Sequence, residues 1–426
     1  MKSISPAAAK VVERFSWGKD AGILLAETTG HGFPAGRAME INGKLLTSYA
    51  SCSYLGLDQD PRLREAAKDA IDRYGTYFSS SRTYLQQGQY TELEDKLTEV
   101  FGAPTLVAAS TTLAHLSLMP IVIGNRDAII VDYQAHNSLQ DAVTMMKGRG
   151  AHREIVPHND MTALRERIVK LSASFAEVWY VLDGVYSIYG DEAPLAEIEA
   201  LLEEFPKLRL YVDDAHGMGW TGRHGRGLAL SRMRLHERMV LVTSLNKAAA
   251  SGGGAIVLPT EELRDYVRVA GKTLIFSGPL PPSAIAAATA FADICLSPEI
   301  DELQDRLKRR CRRFLEGAEA YDLNIVDDSP TPVFYVGMGD YPIMIDVAVR
   351  LRERHGVFVN PTGYPAVPFS KCGFRITVTA AHSDDDIRRL TAGLAEEFAT
   401  VLALRGVDRE SIRERFAGGV AAAVAS

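Results

Sequence analysis

The chain has 426 residues, of which 46% are hydrophobic and 24% are charged, and its formal net charge is −7. This length exceeds one typical domain, so we expect one large domain and one smaller domain. The acidic balance and the scattered Lys and Arg residues argue against nucleic acid as a partner. No apolar run approaches the roughly 18 residues of a membrane span, and the N-terminal stretch lacks the apolar core of a signal peptide. The four cysteines lack paired spacing, as is typical of free thiols in the cytoplasm: Cys52, Cys295, Cys311 and Cys372. These features predict a cytoplasmic protein without a membrane span.

Residues 1–60 form the first segment, which we interpret as an N-terminal arm followed by a hairpin. Residues 1–30 carry apolar side chains at helical spacing, and a peripheral helix or a dimer arm would both explain that pattern. The turn Asn42–Gly43 is flanked by alternating apolar residues, which is the strongest short-range signal for a β-hairpin.

Residues 61–285 repeat a rhythm of apolar strand, polar turn and amphipathic helix, so we predict the large domain there. The pattern predicts a doubly wound, mainly parallel sheet with helices on both faces, an α/β fold. The predicted strands cover 105–110, 127–132, 152–157, 178–184, 208–214, 239–244 and 253–259.

Residues 286–426 mix helices with short strands at 331–338, 356–361 and 374–379. This pattern predicts a smaller α+β domain.

Two of the predicted strands deliver polar residues at their carboxyl ends. Asp213, Asp214 and His216 follow the first, and Ser244 and Lys247 follow the second. Because the carboxyl ends of parallel strands form one crevice, these residues can meet around one small molecule.

Lys247 and Asp213 are the strongest candidates for catalysis. An isolated lysine is most often a surface charge and an isolated aspartate is most often a helix cap. Together, a desolvated amine that forms a Schiff base and a carboxylate that pairs with a pyridinium nitrogen suit pyridoxal phosphate. Asp214 is expected to point away, because strand side chains alternate. His216 has no partner ligands at metal-site spacing, so we expect no metal.

Three motifs carry a resemblance to a known family: VDDAHGMGWTGRHGRG (212–227), SLNKAAASGGGAIVLP (244–259) and DGVYSIYGDEAPLAEI (183–198). The chain resembles the α-oxoamine synthases, which are fold-type I pyridoxal phosphate enzymes. The similarity extends from about residue 50 to about residue 390, in the order of the family's motifs.

The resemblance implies a role for each matching residue. Lys247 would form the Schiff base with the cofactor, Asp213 would pair with its pyridine nitrogen, and His136 would stack on its ring. Arg375 would bind the carboxylate of the amino acid. Two residues would lie near the phenolic oxygen, Ser187 and His216. Four would bind the phosphate, Ser110, Thr111, Thr112 and Ser244.

The chain departs from the family at several of these places. Ser110-Thr111-Thr112 replaces a Ser-Gly-aromatic run, Cys52 replaces an asparagine, and bulkier residues occupy 77–79. Hydroxyls and N–H groups at a helix N-terminus still suit a phosphate. These changes lie near the expected substrate entrance, so no single member's substrate is carried over.

The function implied is condensation of an amino acid with an acyl thioester, carried by CoA or by an acyl carrier protein. Decarboxylation would leave an α-aminoketone, and the family implies a homodimer. An aminotransferase is the alternative, because Lys247, Asp213 and Arg375 would serve transamination equally well. His136 favours the synthase, since aminotransferases commonly stack an aromatic ring there. A non-catalytic member is a third hypothesis, supported only by the altered phosphate loop.

Overall fold

The computed structural model describes residue 12, residues 15–28 and residues 37–424. The described residues fall into two compact units. The smaller unit contains residues up to Gly56, the short insertion Ile188–Asp191 and the chain from Arg306 onward, whereas the larger contains Leu57–Ser187 and Glu192–Asp305. The domain boundaries predicted at residues 60 and 285 stay a prediction. The helical pattern predicted for residues 1–30 lies partly outside the described residues, and within it residues 15–20 are helical.

The predicted hairpin opens the smaller unit. Strands β1 (Ala38–Ile41) and β2 (Lys44–Ser48) pair antiparallel, with Ala38 opposite Thr47. Asn42 and Gly43 have φ values of 51° and 74°, the left-handed pair that a two-residue hairpin turn requires.

The larger unit is built on a seven-stranded sheet in the order β3-β9-β8-β7-β6-β4-β5. Its strands are β3 (Thr105–Ala108), β4 (Ala128–Asp132), β5 (His152–Val156), β6 (Val178–Asp183), β7 (Leu208–Asp213), β8 (Met239–Ser244) and β9 (Gly254–Val257). Each strand falls within a segment predicted from the sequence. Neighbours from β5 to β8 pair in parallel, and β9 pairs antiparallel with both β8 and β3. The predicted α/β fold with a mainly parallel sheet is therefore confirmed.

Apolar runs form these strands because both faces of a parallel sheet are covered by helices. Every residue of β3, β4, β6, β8 and β9 is buried, whereas the edge strand β5 keeps His152 and Ile155 exposed.

The helices of the larger unit alternate with its strands. They are α1 (Pro61–Tyr74), α2 (Gly88–Phe101), α3 (Thr111–Val122), α4 (Asn137–Gly148), α5 (Met161–Ser172), α6 (Leu195–Glu204), α7 (Leu228–Arg232), α8 (Glu261–Ala270), α9 (Lys272–Phe276) and α10 (Pro282–Leu296). The side chain of Asp60 caps α1 by accepting a hydrogen bond from Arg62 N, and Pro61 occupies the first helical position. Both residue types are favoured at helix N-termini. Helix α11 (Glu299–Ala320) follows and runs from the larger unit into the smaller one.

The rest of the smaller unit is α+β, as predicted. Its strands are β10 (Val333–Gly339), β11 (Val357–Phe358), β12 (Asn360–Thr362) and β13 (Cys372–Thr377), arranged as a β10-β13-β12 sheet and a β1-β2-β11 sheet. Its helices are α12 (Tyr341–His355), α13 (Asp384–Arg405), α14 (Arg409–Phe416) and α15 (Gly419–Val424). Ser383 and Asp386 form a capping box that begins α13.

No single helix within the described ranges is long and apolar enough to cross a membrane. The bent pair α10 and α11 meets that criterion only when the two helices are counted together, by length and composition.

Candidate active site

A cavity of about 230 Å³ lies where the carboxyl ends of β4, β6, β7 and β8 meet the N-terminus of α3. This is the crevice in which open α/β sheets bind ligands. Its lining is rich in hydroxyl, carboxyl and imidazole groups: Ser110, Thr111, Thr112, His136, Ser138, Asp183, Val185, Asp213, Ala215, His216, Ser244, Asn246 and Lys247. Nine of the ten residues that the sequence assigns to the site belong to the larger unit, and eight of the nine line this cavity.

Asp213 ends β7 and is held there by two hydrogen bonds. Its Oδ2 lies 2.9 Å from Nε2 of His115, and its Oδ1 accepts a 2.9 Å bond from the backbone N–H of Ala215. Burial is the largest influence on the pKa of Asp213 and raises it, but the hydrogen bond from His115 and the charges of His115 and Lys247 outweigh burial. The net pKa is lowered, so Asp213 presents an ionised carboxylate to the cavity.

Asp183 is the neighbour of Asp213 across the β6–β7 pairing. Burial, and then the negative charge of Asp213, raise the pKa of Asp183 well above its usual range. Its Oδ1 accepts a 3.1 Å bond from the backbone N–H of His136. Two carboxyl groups at adjacent strand ends thus differ in protonation, Asp213 being ionised and Asp183 being shifted toward the neutral acid.

Lys247 projects from a closed turn directly after β8. Leu245 N donates to Gly253 O and Ser251 N donates to Leu245 O, both at 3.0 Å, which pins the two ends of the turn. Ala248 and Ala249 beside the lysine are almost fully buried. The charge of Lys247 lowers the pKa of both Asp183 and Asp213.

The N-terminus of α3 forms an anion cradle. Ser110 caps the helix by accepting a 3.1 Å bond from Leu113 N, and the N–H groups of Thr111 and Thr112, which have no acceptor within the helix, belong to residues that line the cavity. Gly254 in β9 lets the backbones approach closely here, because a Cβ at this position would lie 2.7 Å from Thr111 N. Ser244 donates its hydroxyl to Oδ1 of Asn246, so the amide belongs to the same polar wall.

His136 begins α4 with its ring held in place. Nδ1 accepts a 3.2 Å bond from Ser138 N and lies 2.8 Å from the Ser138 hydroxyl. Because Nδ1 accepts from a backbone N–H, the ring proton is assigned to Nε2.

Two of the predicted residues do not line this cavity. Ser187 is outside the lining. Arg375 belongs to β13 in the smaller unit, where its Nη1 donates to the Thr377 hydroxyl at 3.2 Å and both Nη atoms lie 3.7 Å from Sγ of Cys52. Burial lowers the pKa of Arg375, but Cys52 and Tyr54 more than offset it, so the net pKa is raised.

Asp214 points away from the cavity, as strand alternation predicted. Its Oδ2 instead accepts a 3.1 Å bond from Ala229 N. One metal-type cluster lies elsewhere among the described residues, in the smaller unit, and joins His355, Glu396 and Glu397. Glu397 there is already paired with Arg350.

Four polar residues at or behind the cavity wall were not predicted from the sequence: His115, Ser138, Asp183 and Asn246. His115 left a signal in the sequence, because it is the only ionisable residue of α3, in the apolar run Leu113–Leu118.

These groups fit pyridoxal phosphate. The cradle of N–H groups and hydroxyls suits a phosphate, the ionised carboxylate of Asp213 suits a pyridinium nitrogen, and the amine of Lys247 suits an aldehyde carbon. The fold and the site therefore define a pyridoxal phosphate-dependent enzyme of fold-type I.

Comparison with known proteins agrees. Residues 47–394 match the family model described as "Aminotransferase class I and II". The chain is 34% identical over 359 residues to 8-amino-7-oxononanoate synthase of Geobacter metallireducens, covering 83% of this chain and 89% of the relative. The corresponding protein of Herminiimonas arsenicoxydans is 33% identical over 369 residues, covering 85% of this chain and 92% of the relative.

Solved structures show the same fold. Serine palmitoyltransferase of Sphingomonas wittichii has a TM-score of 0.86 at 24% identity, covering 95% of this chain and 100% of that chain. 8-Amino-7-oxononanoate synthase of Francisella tularensis has a TM-score of 0.70 at 21% identity, covering 83% of this chain and 98% of that chain.

The chain belongs to the α-oxoamine synthase family of pyridoxal phosphate-dependent C-acyltransferases. The names of its relatives support the synthase prediction and not the aminotransferase alternative.

Proposed function

We propose that the protein condenses an amino acid with an acyl thioester and releases carbon dioxide, the free thiol and an α-aminoketone. A bond forms between the α-carbon of the amino acid and the acyl carbonyl carbon, while the C–S bond and the bond to the carboxylate break. The relatives' name, 8-amino-7-oxononanoate synthase, describes a product with amino and oxo groups on adjacent carbons. The single observation that carries the proposal is the shared cavity of Lys247 and the ionised Asp213.

Asp213 would hold a proton on the ring nitrogen of the cofactor. When bound, pyridoxal phosphate supplies an electron sink for the carbanion that develops at the α-carbon. A carboxylate fixed by His115 and Ala215 is suited to this task, because both of its oxygens are oriented before a ligand arrives.

Lys247 would act as the general base that removes the proton from the α-carbon of the amino acid. Its turn is closed by backbone hydrogen bonds, so the amine can reach into the cavity without a change of the backbone. Its neighbours Ala248 and Ala249 are almost fully buried, so the turn that carries the amine is firmly packed, as a positioned general base requires.

The remaining assignments concern binding. His136 would cover the face of the cofactor ring, His216 and Ser187 would lie near the phenolic oxygen, and the hydroxyls of Ser110, Thr111, Thr112 and Ser244 would bind its phosphate. Arg375 would bind the carboxylate of the amino acid, because a guanidinium presents parallel donors to a carboxylate.

We propose further that the protein is a cytoplasmic homodimer, as the resemblance to the family implies. The acyl donor is a CoA or acyl carrier protein thioester, and the dispersed basic residues favour neither carrier.

Thiol release tests the proposal. Purified protein with cofactor is given each amino acid in turn together with acyl-CoA thioesters of increasing length, and free CoA is measured. We expect CoA release that depends on one or a few amino acids and is lost in Lys247→Ala. Turnover that requires a 2-oxo acid acceptor and releases no thiol would overturn the proposal in favour of transamination.

A further inference from the structure

His115 lies behind the cavity wall, fully buried, with both ring nitrogens engaged. Nε2 is 2.9 Å from Oδ2 of Asp213, and Nδ1 is 3.1 Å from the hydroxyl of Tyr211. Tyr211 and Asp213 are two residues apart on β7, so their side chains leave the same face of the strand. The imidazole therefore bridges two side chains of one strand.

The direction of the bond to Asp213 follows from the chemistry of the groups. An ionised carboxylate only accepts, so Nε2–H of His115 donates to Asp213. Burial, and then the charge of Asp213, raise the pKa of Tyr211 well above its usual value, so the phenol keeps its proton, and its oxygen lies 3.1 Å from Nδ1. The result is a chain of hydrogen bonds that joins the phenol, the imidazole and the carboxylate.

Helix α3 carries both a residue of the anion cradle and the hydrogen-bond partner of Asp213. Thr111 in the first turn of α3 belongs to the anion cradle, and His115 lies one helical turn further along. A regular helix fixes the spacing between positions i and i+4, so α3 ties the cradle to Asp213 through one rigid element.

We propose that His115 is a positioning residue for the cofactor, which holds the Asp213 carboxylate ionised and correctly oriented toward the pyridine nitrogen. His115 does not line the cavity, so it would act only through Asp213. The inference rests on the pyridoxal phosphate chemistry of the proposed function.

A merely structural role is the competing explanation, because a buried histidine must satisfy its polar atoms wherever it lies. The two explanations differ in pH dependence. Without the imidazole, Asp213 would lose its strongest hydrogen bond and take up a proton as the pH falls. The other ionisable groups that act on or respond to Asp213 are Lys247, Asp183, Asp214 and Tyr211, and all are unchanged in a His115 variant.

The test measures the dissociation constant of added pyridoxal phosphate from mildly alkaline to mildly acidic pH, by protein fluorescence and by the visible absorption of the bound cofactor. The variants are His115→Phe, which removes both hydrogen bonds, His115→Gln, which keeps a donor near the position of Nε2, and Tyr211→Phe, which removes only the hydrogen bond to Nδ1. We expect His115→Phe to weaken binding about 10- to 100-fold, because hydrogen bonds to charged groups are the strong ones. The loss should grow as the pH falls, His115→Gln should recover most of it, and Tyr211→Phe should lose less.

His158→Phe is the matched control. His158 forms a second buried His–Asp pair, with Nδ1 2.8 Å from Oδ1 of Asp132, and neither residue lines the cavity. This variant should lose thermal stability but keep the wild-type pH profile of cofactor binding.

The possible results distinguish the positioning role of His115 from the proposed function itself. If His115→Phe binds the cofactor with the affinity and pH profile of the wild type, His115 has no positioning role. The same conclusion follows if His158→Phe reproduces its profile. A wild type that binds no cofactor at all would instead overturn the proposed function.

Discussion

Glu94 in α2 is the centre of a buried ionic cluster whose loss should be measurable. Its Oε1 accepts bonds from Nη2 of Arg82 at 2.7 Å and from Val107 N at 3.0 Å, and its Oε2 lies 2.9 Å from Nη2 of Arg268. The side chains of Arg82 and Glu94 are only 9% and 4% exposed, so water solvates their charges little. The guanidinium of Arg82 also lies over the ring of Tyr90, with Cζ 3.8 Å from the ring centroid. The cluster thus anchors Arg82 and Tyr90, shortly after residues 77–79.

The perturbation is Glu94→Leu, which keeps the approximate size and removes the charge. It removes the carboxylate that accepts from Nη2 of Arg82 and from the N–H of Val107, whereas Nη1 of Arg82 keeps its bond to Val107 O, so a buried positive charge loses its counter-charge. Removing one partner of a buried pair costs about 3–5 kcal/mol. The double variant Glu94→Leu/Arg82→Leu should recover part of this loss, because it leaves no buried charge unpaired at that position.

Urea unfolding of the full chain, followed by circular dichroism, provides the free energy of unfolding for both variants. Glu65→Gln is the control, since its ion pair with Lys68 is largely exposed and should contribute nothing measurable. A loss below about 1 kcal/mol in Glu94→Leu would show that the cluster does not stabilise the fold as a buried ion pair does. A double variant less stable than Glu94→Leu would show the same.

Three further predictions follow from single contacts. Gly254→Ala should weaken pyridoxal phosphate binding in a cofactor titration, because the added Cβ would lie 2.7 Å from Thr111 N in the cradle; unchanged affinity would contradict this. Gly190→Ala should lower the melting temperature, since Gly190 has φ 79° and its Cβ would meet Val333 O at 1.8 Å; an unchanged melting curve would show that the backbone yields there. Burial lowers the pKa of His382 to about 4. As the pH falls, this imidazole therefore takes up a proton in the unfolded chain before it does so in the folded chain, and the free energy of unfolding should fall by about 2 kcal/mol from pH 7 to pH 5. His382→Gln should remove that part of the pH dependence, which unfolding experiments at both pH values would detect.

The strands and the core of the site could be predicted from the sequence because their signals are local. A strand buried on both faces must be apolar throughout, so the inner strands of the sheet stood out as apolar runs, whereas the edge strand β5 begins with His152, Arg153 and Glu154. The orientations of Asp213 and Asp214 followed from strand alternation alone.

The remaining features depend on contacts between distant segments. The antiparallel direction of β9 is set by its pairing with β3 and β8, which no local pattern reveals. His115 is 98 residues from Asp213 in sequence, so only the folded chain shows that the two residues meet. Ser187 and Arg375 were assigned through resemblance, and their roles stay predictions.

Attachment of the cofactor is the central claim, and reduction with borohydride tests it most directly. Treatment of the cofactor-loaded protein should fix a pyridoxyl group on one peptide, which mass spectrometry identifies. We expect the labelled peptide to contain Lys247 and the Lys247→Ala variant to carry no label. An active protein that is labelled at another lysine, or at none, would contradict it.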